Sequence, residues 1–144
     1  MADAVARILD ANLNRAREGL RVGEELARFV LSQGRLQREF KAVRHALTRA
    51  ERAAGGEAWV RHRAADRDPG ADVRLRRPAP RRVLADLARA NLRRAEEALR
   101  VLEELCALKV PATGRRFQRL RFRTYTLEQR LLAALAAQER YVKH

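Results

Sequence analysis

The chain writes one phrase twice. Residues 11–26 read ANLNRAREGLRVGEEL and residues 90–105 read ANLRRAEEALRVLEEL, twelve of sixteen positions identical, at an offset of 79 that sets Asn91 against Asn12. A weaker echo follows each copy. Phe40 matches Phe117, Val43 matches Leu120 and Arg44 matches Arg121, now at an offset of 77, so the second connection is two residues shorter. Each copy therefore reads as one hairpin of two long antiparallel helices. Neither hairpin can bury its apolar stripe alone. The expected fold is all-α: two duplicated helical hairpins packed pseudo-symmetrically into a four-helix bundle, with a homodimer covering any stripe left over.

Helical periodicity places the elements. Residues 3–32 contain no proline and carry Val5, Ile8, Leu9, Leu13, Ala16, Leu20, Leu26, Ala27, Val30 and Leu31 at helical spacing. Asp3 can cap the start, and Gly34 follows the end. A second helix over about 35–54 aligns Leu36, Phe40, Val43, Leu47, Ala50 and Ala54, and Gly55-Gly56 stops it. Pro80 opens a third helix to about 109, closed by VPATG. The fourth, about 115–142, aligns Phe117, Leu120, Thr124, Leu127, Leu131 and Leu135. The stretch between, EAWVRHRAADRDPGADVRLRRPA, has no sustained period and reads as a long loop with a short helical turn around Trp59. Long loops in compact domains are often functional. One domain, 1–144, thus divides into a hairpin (1–54), a loop (55–79) and a second hairpin (80–144).

Composition narrows the partners. The formal net charge is +14, and lysine appears only at Lys41, Lys109 and Lys143, so arginine supplies nearly all the cation. Planar, bidentate guanidinium suits phosphate and carboxylate, which predicts anionic partners. A nucleic-acid-binding bundle is one such reading. Against it stand the acids interleaved through the repeat (Glu18, Glu24, Glu25, Glu97, Glu103, Glu104) and the scarcity of aromatics. One cysteine, Cys106, excludes an intrachain disulfide and a cysteine-based zinc finger. No apolar run reaches the roughly 18 residues of a membrane helix, and MADAVARILD lacks the layout of a signal peptide, so a cytoplasmic protein is expected. The chain has no GxxxxGK[ST], GxGxxG after a strand, GxSxG or HExxH. Any phosphate must be held by arginines and helix N-termini.

The repeat explains the fold but not its polar residues. On a helical wheel centred on Leu20, Asn12 falls at roughly −80° and Arg15 at roughly −140°, both within the apolar arc. Asn91 and Arg94 repeat the arrangement. An unsatisfied buried amide costs about 1–3 kcal/mol and an unpaired buried charge more, so each couple needs partners. Either a central polar layer fixes register, or a pocket admits a polar ligand. Gly19 and Gly23 lie on the same face, where the second copy has Ala98 and Leu102. Each mid-helix glycine costs about 0.5–1 kcal/mol, which makes sense if another helix or a ligand comes close. Cys106 matches Ala27 and reads as core. In the loop, Asp68 and Asp72 flank a Pro-Gly turn and can hold Mg²⁺, or can simply be solvated. His45 and His62 have no metal-ligand spacing.

Taken together, RILDANLNRAREGLRVGEELARFVL, FKAVRH, RDPGADV, ANLRRAEEALRVLEEL and LRFRTYTLEQRLL resemble the all-helical hydroxymethylpyrimidine phosphate kinase family of thiamin biosynthesis, a domain often fused to thiamin-phosphate synthase. The resemblance covers nearly the whole chain, and its first motif is long and specific. It implies phosphorylation of hydroxymethylpyrimidine phosphate to the diphosphate, with ATP and Mg²⁺. The family pattern marks Asn12, Arg15, Glu18, Gly19, Arg21, Arg28, Arg44, His45, Arg67, Asp68, Asp72, Glu97, Arg100 and Glu103. The roles implied are a phosphate clamp for Arg15, Arg44 and Arg67, and substrate contacts for Asn12, Gly19, Arg21 and His45. Asp68 and Asp72 would bind metal, and Glu18 and Arg100 the nucleotide. The nucleophile would itself be a phosphate oxygen, so no strong base is required. One departure matters. The family loop reads RD[TS]xGDVG, whereas here it runs Arg67-Asp68-Pro69-Gly70-Ala71-Asp72-Val73-Arg74. That change keeps a different reading open: a non-catalytic helical partner of thiamin-phosphate synthase, whose (β/α)-barrel pattern these residues do not show.

Overall fold

The computed structural model describes residues 2–71, 81 and 83–142. Among them every regular element is helical: α1 (Ala2–Glu25), α2 (Gly34–Ala53), α3 (Leu84–Lys109) and α4 (Pro111–Val142). Short 3₁₀ turns span Gly56–His62 and Ala65–Arg67. The third helix starts at Leu84 among these residues, and Pro80, expected to open it, lies outside them. At the fourth helix the expectation of a VPATG loop is corrected. Pro111 is its first residue, because a ring-locked φ and a missing N–H cost nothing in a first turn. Only Val110 separates α3 from α4.

The first connection is looser. A π-helical turn, Leu26–Val30, widens the end of the first helix, and Ser32 adopts a positive φ of 52°. Leu31 N–H donates to Leu26 O at 3.1 Å and Gln33 N–H to Ala27 O at 2.9 Å. These features absorb the two residues by which the first connection exceeds the second. The second helix stops at Gly55, whose φ of 74° favours glycine.

Each long helix packs mainly on two others, α1 on α2 and α3, and α4 on α2 and α3. The shared core holds Leu13, Ala16 and Leu20 of α1, Phe40, Val43 and Leu47 of α2, Leu92, Ala95 and Leu99 of α3, and Phe117, Leu127 and Leu131 of α4. The whole stripe expected on α4 is buried, including Thr124, whose hydroxyl donates to Leu120 O at 2.8 Å. Cys106 is buried as expected, and burial pushes its thiol up to about 11. Trp59 is buried in the first 3₁₀ turn, which packs on α1 and fixes how the loop leaves the helices.

Gly19 sits where α1 meets α3. A Cβ there would lie 2.4 Å from Asn91 O and 3.0 Å from the Ala95 Cβ. At Gly23 a Cβ would lie 2.6 Å from the Phe40 ring. Both glycines make room for protein, so of the two reasons offered by the sequence, the approach of another helix is the one observed.

Equivalent positions in the two hairpins make equivalent contacts. Arg44 clamps Glu24 (2.8 and 3.3 Å), and Arg121 meets Glu103 at 2.9 Å. Arg21 pairs with Glu24 and Glu25, and Arg100 with Glu103 and Glu104. Burial raises the Glu24 carboxyl, but Arg44 and Arg21 hold it net below its ordinary value.

Candidate functional site

Where the hairpins differ, a site appears. Arg7 and Asp10 of α1 correspond, at the offset of 79, to Asp86 and Arg89: the charges are reversed. Asp10 is buried, and Arg63 reaches it from the loop in a bidentate pair, Nε to Oδ2 at 2.7 Å and Nη2 to Oδ1 at 2.9 Å. The hydrogen bonds to Asp10, and its charge, hold the Arg63 guanidinium above its ordinary value. In the second hairpin Arg89, among the described residues, meets its own neighbour Asp86 at 3.5 Å. The Arg63–Asp10 clamp thus ties the loop to the first hairpin.

The clamp borders a cleft of roughly 610 Å³ between the first half of α1 and the loop. That is within the range of sites for small organic molecules, about 300–1,000 Å³. Ile8, Ala11 and Ala65 supply apolar wall, and Asn12, Asn14, Arg7, Arg15, Arg67 and Asp68 supply polar groups. Ile8, expected in the core, is 44% exposed here. Arg63 is neutralised by Asp10, leaving Arg7, Arg15 and Arg67 against Asp68. The cleft is net positive, as an anion requires.

Four of the residues singled out in the sequence meet at this cleft: Asn12, Arg15, Arg67 and Asp68. Asn12 is buried and turned towards its own helix, its Nδ2 donating to Ile8 O at 2.9 Å. Its Oδ1 accepts from Arg15 Nη1 at 3.4 Å. Asn91 likewise donates to Leu87 O at 2.8 Å. The buried Asn12 amide is therefore satisfied within its helix, and the half-buried Asn91 amide donates within its own. Arg15 is exposed on the cleft wall and not, as the wheel suggested, sunk in the apolar arc. The wheel treats that arc as wholly covered, but the loop leaves this part open.

The other marked residues lie elsewhere. Arg44 is bound to Glu24, and Gln37 joins the same carboxylate at 3.5 Å, so the three arginines expected to clamp phosphate do not converge. Gly19 faces α3; Arg21 and Arg100 serve glutamates on their own helices. Glu18, His45, Arg28 and Glu97 are exposed on helix surfaces and do not line the cleft. Asp72 lies outside the described residues. Asp68 Oδ1 accepts from Gly70 N–H at 2.8 Å, and among the described residues no three His, Cys, Asp or Glu side chains gather for a metal. Sequence reading missed Arg7, Asp10 and Arg63. The reversal of charge between the copies was the signal that could have found the first two.

The chain belongs to the ThiD2 family, whose model matches residues 7–130. Among curated proteins it is 45% identical over 140 residues to a thiamine-phosphate synthase of Synechocystis sp., covering 94% of this chain and 38% of that protein. It is 43% identical over 132 residues to a thiamine-phosphate synthase of Nostoc sp., covering 89% of this chain and 35% of the relative. A thiamine-phosphate synthase of Gloeobacter violaceus is 42% identical over 124 residues, covering 86% and 35%. The chain thus spans a little over a third of the length of these relatives. No solved structure matches it. Among the described residues no helix is long and apolar enough to cross a membrane.

These findings bear out the resemblance to a helical domain of thiamin biosynthesis and correct the activity inferred from it. The relatives carry the name of a synthase, a transferase that is not a phosphotransferase, and that name does not support an ATP-dependent kinase.

Proposed function

We propose that this chain is a non-catalytic helical partner of thiamin-phosphate synthase, a four-helix bundle built from two copies of one hairpin and working in the cytoplasm. Its cleft beside α1 holds a small phosphorylated pyrimidine, the kind of molecule such a synthase consumes. The observation that carries this reading is the coverage. Proteins named thiamine-phosphate synthase contain the near-whole of this chain as little more than a third of their own length, which leaves the rest of each protein for the chemistry. The cleft supports the ligand class. Arg15 and Arg67 offer forked donors to a phosphate, and Ile8 and Ala11 offer an apolar wall to a flat ring. Asp10 and Arg63 fasten the loop beside this cleft.

Mixing this chain with thiamin-phosphate synthase from the same cell tests the proposal. The expected result is a complex on size exclusion and a changed KM of the synthase for its pyrimidine substrate, with no turnover by the helical chain alone. Two proteins that elute separately, with synthase kinetics unmoved by a molar excess of this chain, would reject it.

A further inference from the structure

On the face formed by α2 and α4, away from the cleft, four arginines line one groove of roughly 280 Å³: Arg49 from α2, and Arg116, Arg119 and Arg123 from α4. Spacings of three, four and seven residues put the α4 set on one side of its helix. Ala50 and Leu120, both in the core, floor the groove. Among the described residues no acidic side chain lines it. None of the ion pairs or side-chain hydrogen bonds among the described residues engages any of the four. By contrast Arg17, Arg21, Arg44, Arg63, Arg100, Arg121 and Arg130 each meet a carboxylate.

The repeat shows that the fold does not require this cluster. At the offset of 77, Arg116, Arg119 and Arg123 correspond to Glu39, Ala42 and Ala46, and Arg49 corresponds to Thr126. The same offset conserves the residues that build the hairpins, Phe40 with Phe117 and Arg44 with Arg121. Packing four like charges together disfavours the folded state unless an anion offsets them. Their planar forks suit phosphate oxygens.

We propose that this groove is a second anion site and that it takes a linear polyphosphate, several linked phosphates lying along the line of arginines. Its size argues for a short anion over a polymer. Among the described residues no aromatic side chain lines it for base stacking, which single-stranded nucleic acid ordinarily uses.

Calorimetric titration of the full chain at fixed ionic strength tests this, with tripolyphosphate, diphosphate, orthophosphate, citrate and a 20-nucleotide RNA as the probes. Affinity should rise by about tenfold or more from orthophosphate to tripolyphosphate. Arg119→Gln with Arg123→Gln should cost tripolyphosphate about tenfold, with thermal unfolding showing the double variant folded. Removing two charges elsewhere, by Arg38→Gln with Arg140→Gln, should leave the affinity nearly unchanged. Equal losses in the two double variants would reduce the effect to net charge and overturn the proposal. Citrate binding as tightly as tripolyphosphate, or the RNA binding more tightly than either, would overturn the ligand class.

Discussion

Replacing Glu96 by glutamine should make the protein more stable, and increasingly so as the pH rises. In the first hairpin Arg17 of α1 pairs with Glu51 of α2 at 2.8 Å. At the offsets of 79 and 77 these become Glu96 and Glu128, so a salt bridge is replaced by two carboxyls. Glu96 is 6% exposed, and its Oε2 has no hydrogen-bond partner among the described residues. Burial first, then the adjoining Glu128 carboxyl, push Glu96 up to about 9; Arg93, 3.8 Å from Glu128, opposes this only in part. A carboxyl raised in the folded state favours folding at low pH, and that contribution is lost as pH climbs from its unfolded value near 4.5 towards 9. The limiting slope is about 1.4 kcal/mol per pH unit, or about 2.7 kcal/mol between pH 6 and pH 8. Water entering the groove beside Arg93 and Arg100 reduces this, so we expect about 1–3 kcal/mol. For a chain of this size that is a change of about 3–10 °C in Tm. Glu96→Gln keeps the shape and an N–H for Glu128 but does not titrate. Thermal unfolding of both proteins at pH 6 and pH 8 reads the difference for the Glu96–Glu128 pair, because groups that do not touch the pair cancel. Parallel profiles would refute the reasoning.

Three further outcomes follow from the packing. Gly19→Ala should lower Tm although alanine is the better helix former by about 1 kcal/mol, because its Cβ would meet Asn91 O; a rise in Tm would mean that α1 and α3 do not approach so closely. Glu24→Gln should cost about 1–3 kcal/mol by leaving the half-buried Arg44 short of its counter-charge. The depressed carboxyl of Glu24 stabilises the fold above its unfolded value near 4.5 and loses that effect as pH falls, so the gap from wild type should close in acid. Cys106, buried with its thiol pushed up to about 11, should react with a disulfide reagent only as fast as the chain opens, its rate rising with denaturant.

The all-helical fold and its apolar stripes were legible in the sequence, and most of the cleft was not. The stripes of α2 and α4 could be read residue by residue because apolar burial follows one period along a helix. The wheel failed at Ile8 and Arg15, since periodicity says which face points inward but not how far a loop covers it. The family pattern gathered Asn12, Arg15, Arg67 and Asp68, which do share a cleft. It also marked Arg21, Arg44 and Arg100, which the fold uses for ion pairs with glutamate, and a motif alone cannot separate the two uses. Gly19 presented the same ambiguity, settled by the α3 backbone. Arg63 carried no local signal, because its partner Asp10 lies 53 residues away across the fold. Comparing the copies for reversed charge, at Arg7 and Asp10 against Asp86 and Arg89, would have pointed to that end of α1.

The most direct test of the account is to titrate hydroxymethylpyrimidine phosphate into the chain and into its Arg15→Ala and Arg67→Ala variants by calorimetry. Binding at the α1 cleft should be weakened in each variant by about 10–100-fold, the worth of a charge-assisted hydrogen bond of about 1.5–3 kcal/mol. No heat of binding to the unaltered chain, or equal affinity in all three proteins, would contradict it.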